Sequence, residues 1–263
     1  ADDTVNYSSQ ALAINDNGIA VGISNGQYSE NGATVTRNFG VIFDEDNIIN
    51  LTPEPDSIVA RTSQTISSAA DINNNNLVVG YQVKSVNGSN RTKFFVYDMN
   101  LDEITFPDDF FLGSSSVALD INNNGLVVGY GDVDASLTGR RTEGFLYEHE
   151  AKQFYSVQDL ISCDSPFTIV QANSINDKNE IVATALYKGP ARDSSGNVII
   201  DSSGSETIVD LVVAVKLEPI IDGLVEECDI PSNQINRERQ GASLFWILGL
   251  GFALLSWRRF QSF

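Results

Sequence analysis

The sequence has very little of the residue types on which most catalytic and metal-binding sites depend. Its 263 residues include one histidine, His149, and two cysteines, Cys163 and Cys228. A single histidine excludes histidine-rich metal sites and leaves little for a Ser-His-Asp arrangement. The cysteines lack the Cys-x-x-Cys spacing of a structural zinc site, and no glycine-rich loop joins a predicted strand to a helix to hold phosphate. We therefore expect no catalysis and no cofactor, and we expect His149 on the surface of the domain.

Positively charged residues are also scarce. The chain has 16 lysines and arginines against 35 aspartates and glutamates, which gives a formal net charge of −19. Such an acidic surface repels a phosphate backbone, so nucleic acid is not an expected partner. The same surface either maintains solubility or attracts divalent cations and polyamines.

What the sequence does contain is one short phrase repeated four times. The copies align without a gap, and each has an Ile-Asn step, a polar turn and an apolar run. A spacing of roughly 50 residues is typical of arrays in which each copy is one multi-strand unit. The copies occupy residues 11–22, 69–80, 118–129 and 172–183, and their anchor isoleucines are Ile14, Ile72, Ile121 and Ile175.

Each copy predicts several strands. The alternating stretch before Ile-Asn and the apolar run after the turn indicate two strands, and later runs such as residues 94–97 and 103–106 predict a third and a fourth. The Asn, Asp and Gly residues of the turns tolerate left-handed backbone angles. Gly22, Gly80 and Gly129 predict close approach of neighbouring backbones. The expected fold is all-β, a propeller-like array of four four-stranded repeats over residues 1–218.

These repeats resemble a known family. The pattern Ala-x-x-Ile-Asn-[Asp/Asn]-x-Gly-x-x-Val-Gly, followed by an aromatic strand such as residues 144–147, is similar to the HAF repeats of bacterial extracellular proteins. The resemblance covers about residues 7–218. It implies a propeller-like fold in an exported protein, and it implies no general activity.

The chain ends in an apolar segment that predicts a single transmembrane helix over residues 241–263. The stretch from 244 to 257 is about 21 Å long as a helix, against a hydrocarbon core of about 30 Å. By the positive-inside rule the final arginines lie in the cytoplasm and the acidic repeats outside the inner membrane. The polar and acidic composition of residues 219–240 predicts a tether between the repeats and this helix. The expected anchor residues are Leu244, Trp246, Trp257, Arg258 and Arg259.

The small residues before this segment add a second resemblance. Gly241, Ala242 and Ser243, followed by the apolar segment and an arginine pair, are similar to GlyGly-CTERM sorting signals. The resemblance implies an intramembrane protease as a partner and a cut near these residues. The protein then reaches the cell surface; without the cut it stays at the inner membrane with a periplasmic or extracellular domain.

Two further sites are predicted for an exported protein. Cys163 and Cys228 are expected to form one disulfide, although two separate buried thiols would give the same sequence. The polar turns carry side-chain oxygens that could bind calcium, and turn formation alone also explains them. The calcium candidates are Asp16, Asn74, Asn123 and Asp177.

The expected function is that of a membrane-tethered binding or scaffolding module with an unidentified protein or glycan partner. Two alternatives remain open. One is an accessory subunit of a membrane protein complex, held by the small-residue face of its helix. The other is an extracytoplasmic glycan hydrolase, which requires two carboxylates about 5 to 9 Å apart.

Overall fold

The computed structural model describes residues 8–30, 32–44, 47–52, 55, 57–135, 140–220, 223 and 225. The chain divides into two units, 1–229 and 230–263, and every described residue belongs to the first.

The described residues form four antiparallel sheets, one for each repeat, and the strands of a sheet follow one another in sequence. Sheet 1 contains β1 (Ser9–Ile14), β2 (Ala20–Glu30), β3 (Ala33–Asp44) and β4 (Asn47–Asn50). Sheet 2 contains β5 (Ser67–Ile72), β6 (Leu77–Val86), β7 (Ser89–Asp98) and β8 (Glu103–Thr105). Sheet 3 contains β9 (Ser116–Ile121), β10 (Leu126–Asp132), β11 (Thr142–Glu148) and β12 (Gln153–Ser156). Sheet 4 contains β13 (Phe167–Ile175), β14 (Ile181–Pro190) and β15 (Ile208–Leu217).

In the connections that the structure describes there are two short helices, α1 (Ser57–Thr62) and the 3-10 helix η1 (Val157–Leu160). The expected all-β repeat fold is thus confirmed. The expectation of four strands per repeat is confirmed for sheets 1 to 3, while sheet 4 has three strands in the described part of the chain.

The local turn chemistry explains why each repeat folds as it does. In the first repeat the side-chain Oδ1 of Asn15 accepts hydrogen bonds from the backbone N–H groups of Asn17 (3.1 Å) and Ile19 (3.0 Å). The turn is closed by a residue with positive φ, and such angles suit glycine and asparagine. The four positive-φ turn residues are Gly18, Asn76, Gly125 and Asn179.

The glycine that ends each apolar run is needed for close approach of two strands. A Cβ on Gly80 would lie 2.0 Å from the backbone oxygen of Ser68. The pairing of β5 with β6 shifts register between Ala69 and Asp71, next to this contact. The prediction for Gly22, Gly80 and Gly129 is therefore confirmed, because each would place a Cβ 2.0 Å from a carbonyl oxygen of the preceding strand.

The core lies between successive sheets. Three apolar clusters fill the junctions between sheets 1 and 2, 2 and 3, and 3 and 4. Each cluster contains a valine of the earlier repeat and the anchor isoleucine of the later one, and burying such a side chain stabilises by roughly 1.5–3 kcal/mol. The three pairs are Val21 with Ile72, Val79 with Ile121, and Val128 with Ile175.

The predicted membrane segment cannot be compared with the structure. The anchor residues Leu244, Trp246, Trp257, Arg258 and Arg259, and the cleavage residues Gly241, Ala242 and Ser243, lie outside the described residues, as does most of the tether. Within the part of the chain that is described, no helix combines the length and the apolar character needed to span a membrane.

Candidate functional site

The polar turns of successive repeats are joined by a ladder of asparagine side chains. The Nδ2 of Asn15 donates to the backbone oxygen of Asn73 (3.1 Å), and that of Asn73 donates to the oxygen of Asn122 (3.0 Å). Asn122 in turn donates to the oxygen of Asn176 (2.9 Å). Because Asn15, Asn73 and Asn122 are buried, these bonds fix how each repeat sits on the next.

The four calcium candidates lie along this ladder. The backbone N–H of Asp16 donates to Asn74 Oδ1 (2.9 Å), that of Asn74 to Asn123 Oδ1 (2.8 Å), and that of Asn123 to Asp177 Oδ1 (2.8 Å). Hydrogen bonds from the backbone and side chain of Asn123 lower the pKa of Asp177. These oxygens therefore already have partners in the neighbouring turns. The described residues contain no group of three or more His, Cys, Asp and Glu side chains arranged to hold a metal, and calcium binding stays a prediction.

A cleft lies between the second and third repeats. It consists of two adjoining hollows of about 480 and 610 Å³, which share Asp98, His149 and Lys152. Ligand sites in proteins are commonly hollows of about 300–1,000 Å³. The 480 Å³ hollow, which we call the aromatic hollow, is bounded by the β7–β8 and β11–β12 hairpins. It is lined by Val96, Asp98, Leu101, Glu103, Thr105, Phe106, Pro107, Asp108, Tyr147, His149, Lys152 and Phe154.

The floor of the aromatic hollow is formed by phenylalanine rings that pack against one another. The ring of Phe154 lies 5.2 Å from that of Phe145 and 5.0 Å from that of Phe110, with the second pair edge to face. Such contacts order aromatic side chains. Phe106 makes a cation–π contact, because the ammonium of Lys84 lies 3.3 Å from the centre of its ring. The aromatic wall is thus preformed.

The rim of the hollow is polar and mostly acidic. Asp98, Glu103 and Asp108 supply carboxylates, and Lys152 supplies the positive charge. The Oδ1 of Asp98 accepts the backbone N–H groups of Asn100 (2.8 Å) and Leu101 (3.3 Å), so this carboxylate also fixes the β7–β8 turn. Glu103 and Asp108 are exposed and remain available to a ligand as acceptors.

His149 lies in the wall that both hollows share. Its backbone N–H donates to the oxygen of Gly125 (3.1 Å), and its ring meets Tyr147 edge on at 6.4 Å between centres. Its Nδ1 is buried and has no hydrogen-bond partner within the described residues. An unsatisfied buried polar atom costs roughly 1–3 kcal/mol, so a hydrogen-bond partner supplied from outside the described residues would stabilise this nitrogen. The expectation of a surface histidine is wrong in part, since the residue is half-buried.

A second feature that the sequence analysis did not single out is a pair of acids, Asp71 and Asp120. Asp71 Oδ2 accepts the backbone N–H of Ile121 (3.0 Å), and Asp120 Oδ2 accepts that of Ile175 (2.8 Å) and the hydroxyl of Ser174. Burial, together with a hydrogen bond between the two carboxyls, raises the pKa of Asp71 to about 7. The acids are in contact, closer than the 5 Å or more that separates the carboxyls of glycosidases. Their role here is to join successive repeats.

Of the two cysteines in the predicted disulfide, the structure describes one. Cys163, between η1 and β13, is disulfide-bonded. The other cysteine of the chain, Cys228, lies outside the described residues, so the pairing stays a prediction.

The fold and the cleft define a class, an all-β repeat protein with a ligand-sized hollow between two of its repeats. Within that class, the chain belongs to the family described as "Protein of unknown function (DUF3466)", whose family model matches residues 1–260. No curated protein matches the chain. The family match does not support the predicted resemblance to HAF repeats or to GlyGly-CTERM signals. It shows membership in a family of unknown function.

Proposed function

We propose that this protein is a non-enzymatic binding module that holds a glycan in the cleft between its second and third repeats. The observation that carries the proposal is His149, which lines both hollows of the cleft and whose buried Nδ1 has no hydrogen-bond partner in the described part of the chain. A hydroxyl group of a ligand would satisfy this nitrogen, since a hydroxyl both donates and accepts.

The lining of the aromatic hollow favours a sugar over other ligands. Phe106, Tyr147 and Phe154 offer an apolar wall for the C–H face of a pyranose ring, and the rim offers acceptors and one cation for its hydroxyls. Because carboxylates outnumber cations there, the cleft repels anionic glycans and favours neutral or amino sugars. A charge-assisted bond from a sugar ammonium to a carboxylate is stronger than a neutral one.

The finer architecture and the location of the module belong to the same proposal. We infer that the four sheets are arranged like blades of a propeller, and that the domain is exported. Residues 219–240 act as a tether and residues 241–263 as an anchor or sorting tail. Support comes from the strand order within each repeat and from the apolar segment that ends in Arg258 and Arg259.

The histidine makes a direct test possible, because a single histidine gives one set of imidazole resonances in the NMR spectrum. The probe is a glucosamine disaccharide added to the full chain in detergent. We expect it to shift the His149 signals, while a galacturonic acid disaccharide leaves them unchanged. If the histidine signals do not move with 10 mM of the glucosamine probe or of a neutral disaccharide, the proposal is wrong.

Two isosteric substitutions test the rim. Glu103→Gln and Asp108→Asn remove a charge from an exposed side chain of the cleft, and each is expected to weaken binding of the glucosamine probe about tenfold. Glu206→Gln and Asp164→Asn make the same chemical changes at exposed positions that do not line the cleft and serve as controls. Equal effects of rim and control variants would show non-specific attraction. Release of monosaccharide during the titration would overturn the non-enzymatic part of the proposal.

A further inference from the structure

Two faces of the described repeats carry exposed apolar side chains, and they correspond to the two sides of the internal junctions. The anchor isoleucine is 4% exposed in the second repeat, 4% in the third and 6% in the fourth, but Ile14 of the first repeat is 68% exposed. The difference arises because each later isoleucine packs against the preceding repeat, as Ile72 packs with Val21. Ile14 is chemically prepared for a neighbour that the described residues do not supply.

Ile14 is part of a row that crosses the whole first sheet. It pairs with Ala20, which pairs with Phe43, which pairs with Ile48. Directly opposed residues of antiparallel strands share a face, so these side chains form one apolar row, which we call the first-repeat face. Ile48, at its far end, is 59% exposed, while Phe43 in the middle of the row is half-buried against the cluster around Val41 and Val59. The corresponding residues of the second repeat, Ile72, Val78, Tyr97 and Ile104, lie in the junction core.

The fourth repeat exposes the opposite side of the same kind of junction. Its Val182 aligns with Val21, Val79 and Val128, all of which are fully buried, yet Val182 is 49% exposed. Leu186 lies four residues after Val182 in the same strand and therefore on the same face. Val212 pairs with Leu186 and is 72% exposed. We call this surface the fourth-repeat face.

We propose that these faces bind each other between molecules, the fourth-repeat face of one copy packing on the first-repeat face of a second copy. The contact is a further junction of the kind that the chain forms three times within itself. The two faces differ, so the contact is head to tail, and two copies close into a ring or more copies extend into a chain, depending on the rotation between them.

The polar edges of the two faces are complementary as well. At each internal junction an asparagine of the earlier turn donates to a carbonyl oxygen of the next, as Asn17 does to Asn74 (3.2 Å) and Asn124 to Asp177 (3.0 Å). The fourth repeat has Lys178 at this position. Its ammonium is also a donor, and across the proposed junction it meets the backbone oxygen and carboxylate of Asp16. The terminal contact thus replaces a neutral hydrogen bond by a charged one.

The proposal is tested with the full chain in detergent, by light scattering coupled to gel filtration. We expect the wild-type protein to be a dimer or larger at 50 µM. Ile14→Asp and Val182→Asp each destroy one face, and each alone is expected to run as a monomer. An equimolar mixture of the two variants retains one intact face of each kind and is expected to form a dimer. Leu112→Asp replaces an apolar side chain that is 75% exposed and lies on neither face, and this control keeps the wild-type mass.

Each other result overturns the proposal. A monomeric wild-type protein means that the two faces meet within one molecule, as in a closed propeller, or that further repeats or nothing covers them. Variants that all remain dimeric mean that association runs through the tail, and a mixture that stays monomeric means that the contact is not head to tail. Circular dichroism of each variant checks that it is folded. At the polar edge, Lys178→Glu is expected to weaken association about tenfold, whereas Lys178→Asn, which installs the residue of the other three repeats, keeps it.

Discussion

The central repeats and the terminal repeats carry the same motif but give it different surroundings. Ile121 is 4% exposed and Ile14 is 68% exposed, although each precedes the asparagine of an equivalent turn. Asn122 is buried and bonded to the next repeat, while Asn176 is exposed and its amide turns back to Glu180 (2.7 Å). The comparison teaches that the neighbour, and not the motif, determines what a repeated residue contributes.

The largest difference is expected for the anchor isoleucines. Ile121→Ala leaves a cavity in the junction between sheets 2 and 3 and is expected to lower the free energy of unfolding by about 2–5 kcal/mol. Ile14→Ala at the exposed end is expected to change it by less than about 0.5 kcal/mol in dilute protein. Urea unfolding followed by circular dichroism measures both. Equal losses would mean that the motif itself, and not the junction, sets the contribution.

The asparagines sharpen the comparison, because they make the same bonds within the turn. Asn122 and Asn176 each accept two backbone N–H groups of their own turn through Oδ1. Only the Asn122 side chain is buried and donates to the next repeat. Asn122→Ala is therefore expected to be more destabilising than Asn176→Ala by about 1–3 kcal/mol, since it leaves buried groups without partners. Urea unfolding measures the loss in both variants. A difference near zero between the two losses contradicts the role that we give to the asparagine ladder.

The acids of the central repeats are expected to make stability fall as the pH rises. The pKa of Asp71 is about 7, against an ordinary value of 3.8. Below pH 4 this carboxyl is protonated in both the folded and the unfolded chain. Between pH 4 and 7 the unfolded chain ionises first, so the free energy of unfolding falls, by about 1–2 kcal/mol after allowance for solvent screening, and above pH 7 it is level.

Asp71→Asn is the matched control for this pH dependence. The amide keeps the size of the side chain and can donate to the Asp120 carboxylate, so the fall between pH 4 and 7 should disappear. Asp177 of the fourth repeat has the opposite sign, because its pKa is lowered by bonds from Asn123. Its contribution is present above its ordinary pKa and is lost as the pH falls. Unfolding curves measured from pH 3 to 8 separate the contributions of Asp71 and Asp177. If the free energy of unfolding of Asp71→Asn still falls between pH 4 and 7, the pH dependence does not come from Asp71.

The smallest effect is expected at the ion pairs of the terminal repeat. Lys216 lies 2.7 Å from both Glu180 and Glu218, but its side chain is 51% exposed. Lys216→Ala is therefore expected to leave the urea concentration at the midpoint of unfolding unchanged. A clear fall in this midpoint would show that the terminal repeat relies on these charges. Lys93 of the second repeat differs, since its partner Asp109 is almost fully buried.

Much of the fold could be predicted from the sequence because the signals within one repeat are local. Alternating strands, Asn-rich turns and the glycine at position 80 each follow from neighbouring residues. The number of strands in sheet 4 did not follow from such local signals, and three of them lie in the described part of the chain. The tail and Cys228 lie outside the described residues, and their predictions stand as they were.

The candidate site could not be predicted, because it is formed between repeats. His149 and Glu103 belong to different hairpins, and only the packing of sheet 3 on sheet 2 brings them to one cleft. The acid pair did leave a signal. Asp71 and Asp120 occupy the same position of the aligned copies, where the first repeat has Ala13 and the fourth has Ser174. An acid that occurs at this position in the two central repeats only could have identified the pair.

The ladder of asparagine bonds also determines where the array opens. When stability is a sum over neighbouring repeats, a terminal repeat is released by breaking one junction, while a central repeat is released only by breaking two. In a single copy, thermal fraying is then expected to begin at the first and fourth repeats and to reach the middle last. The cleft lies between the second and third repeats, so its two walls keep their spacing during motions that repeatedly loosen the ends.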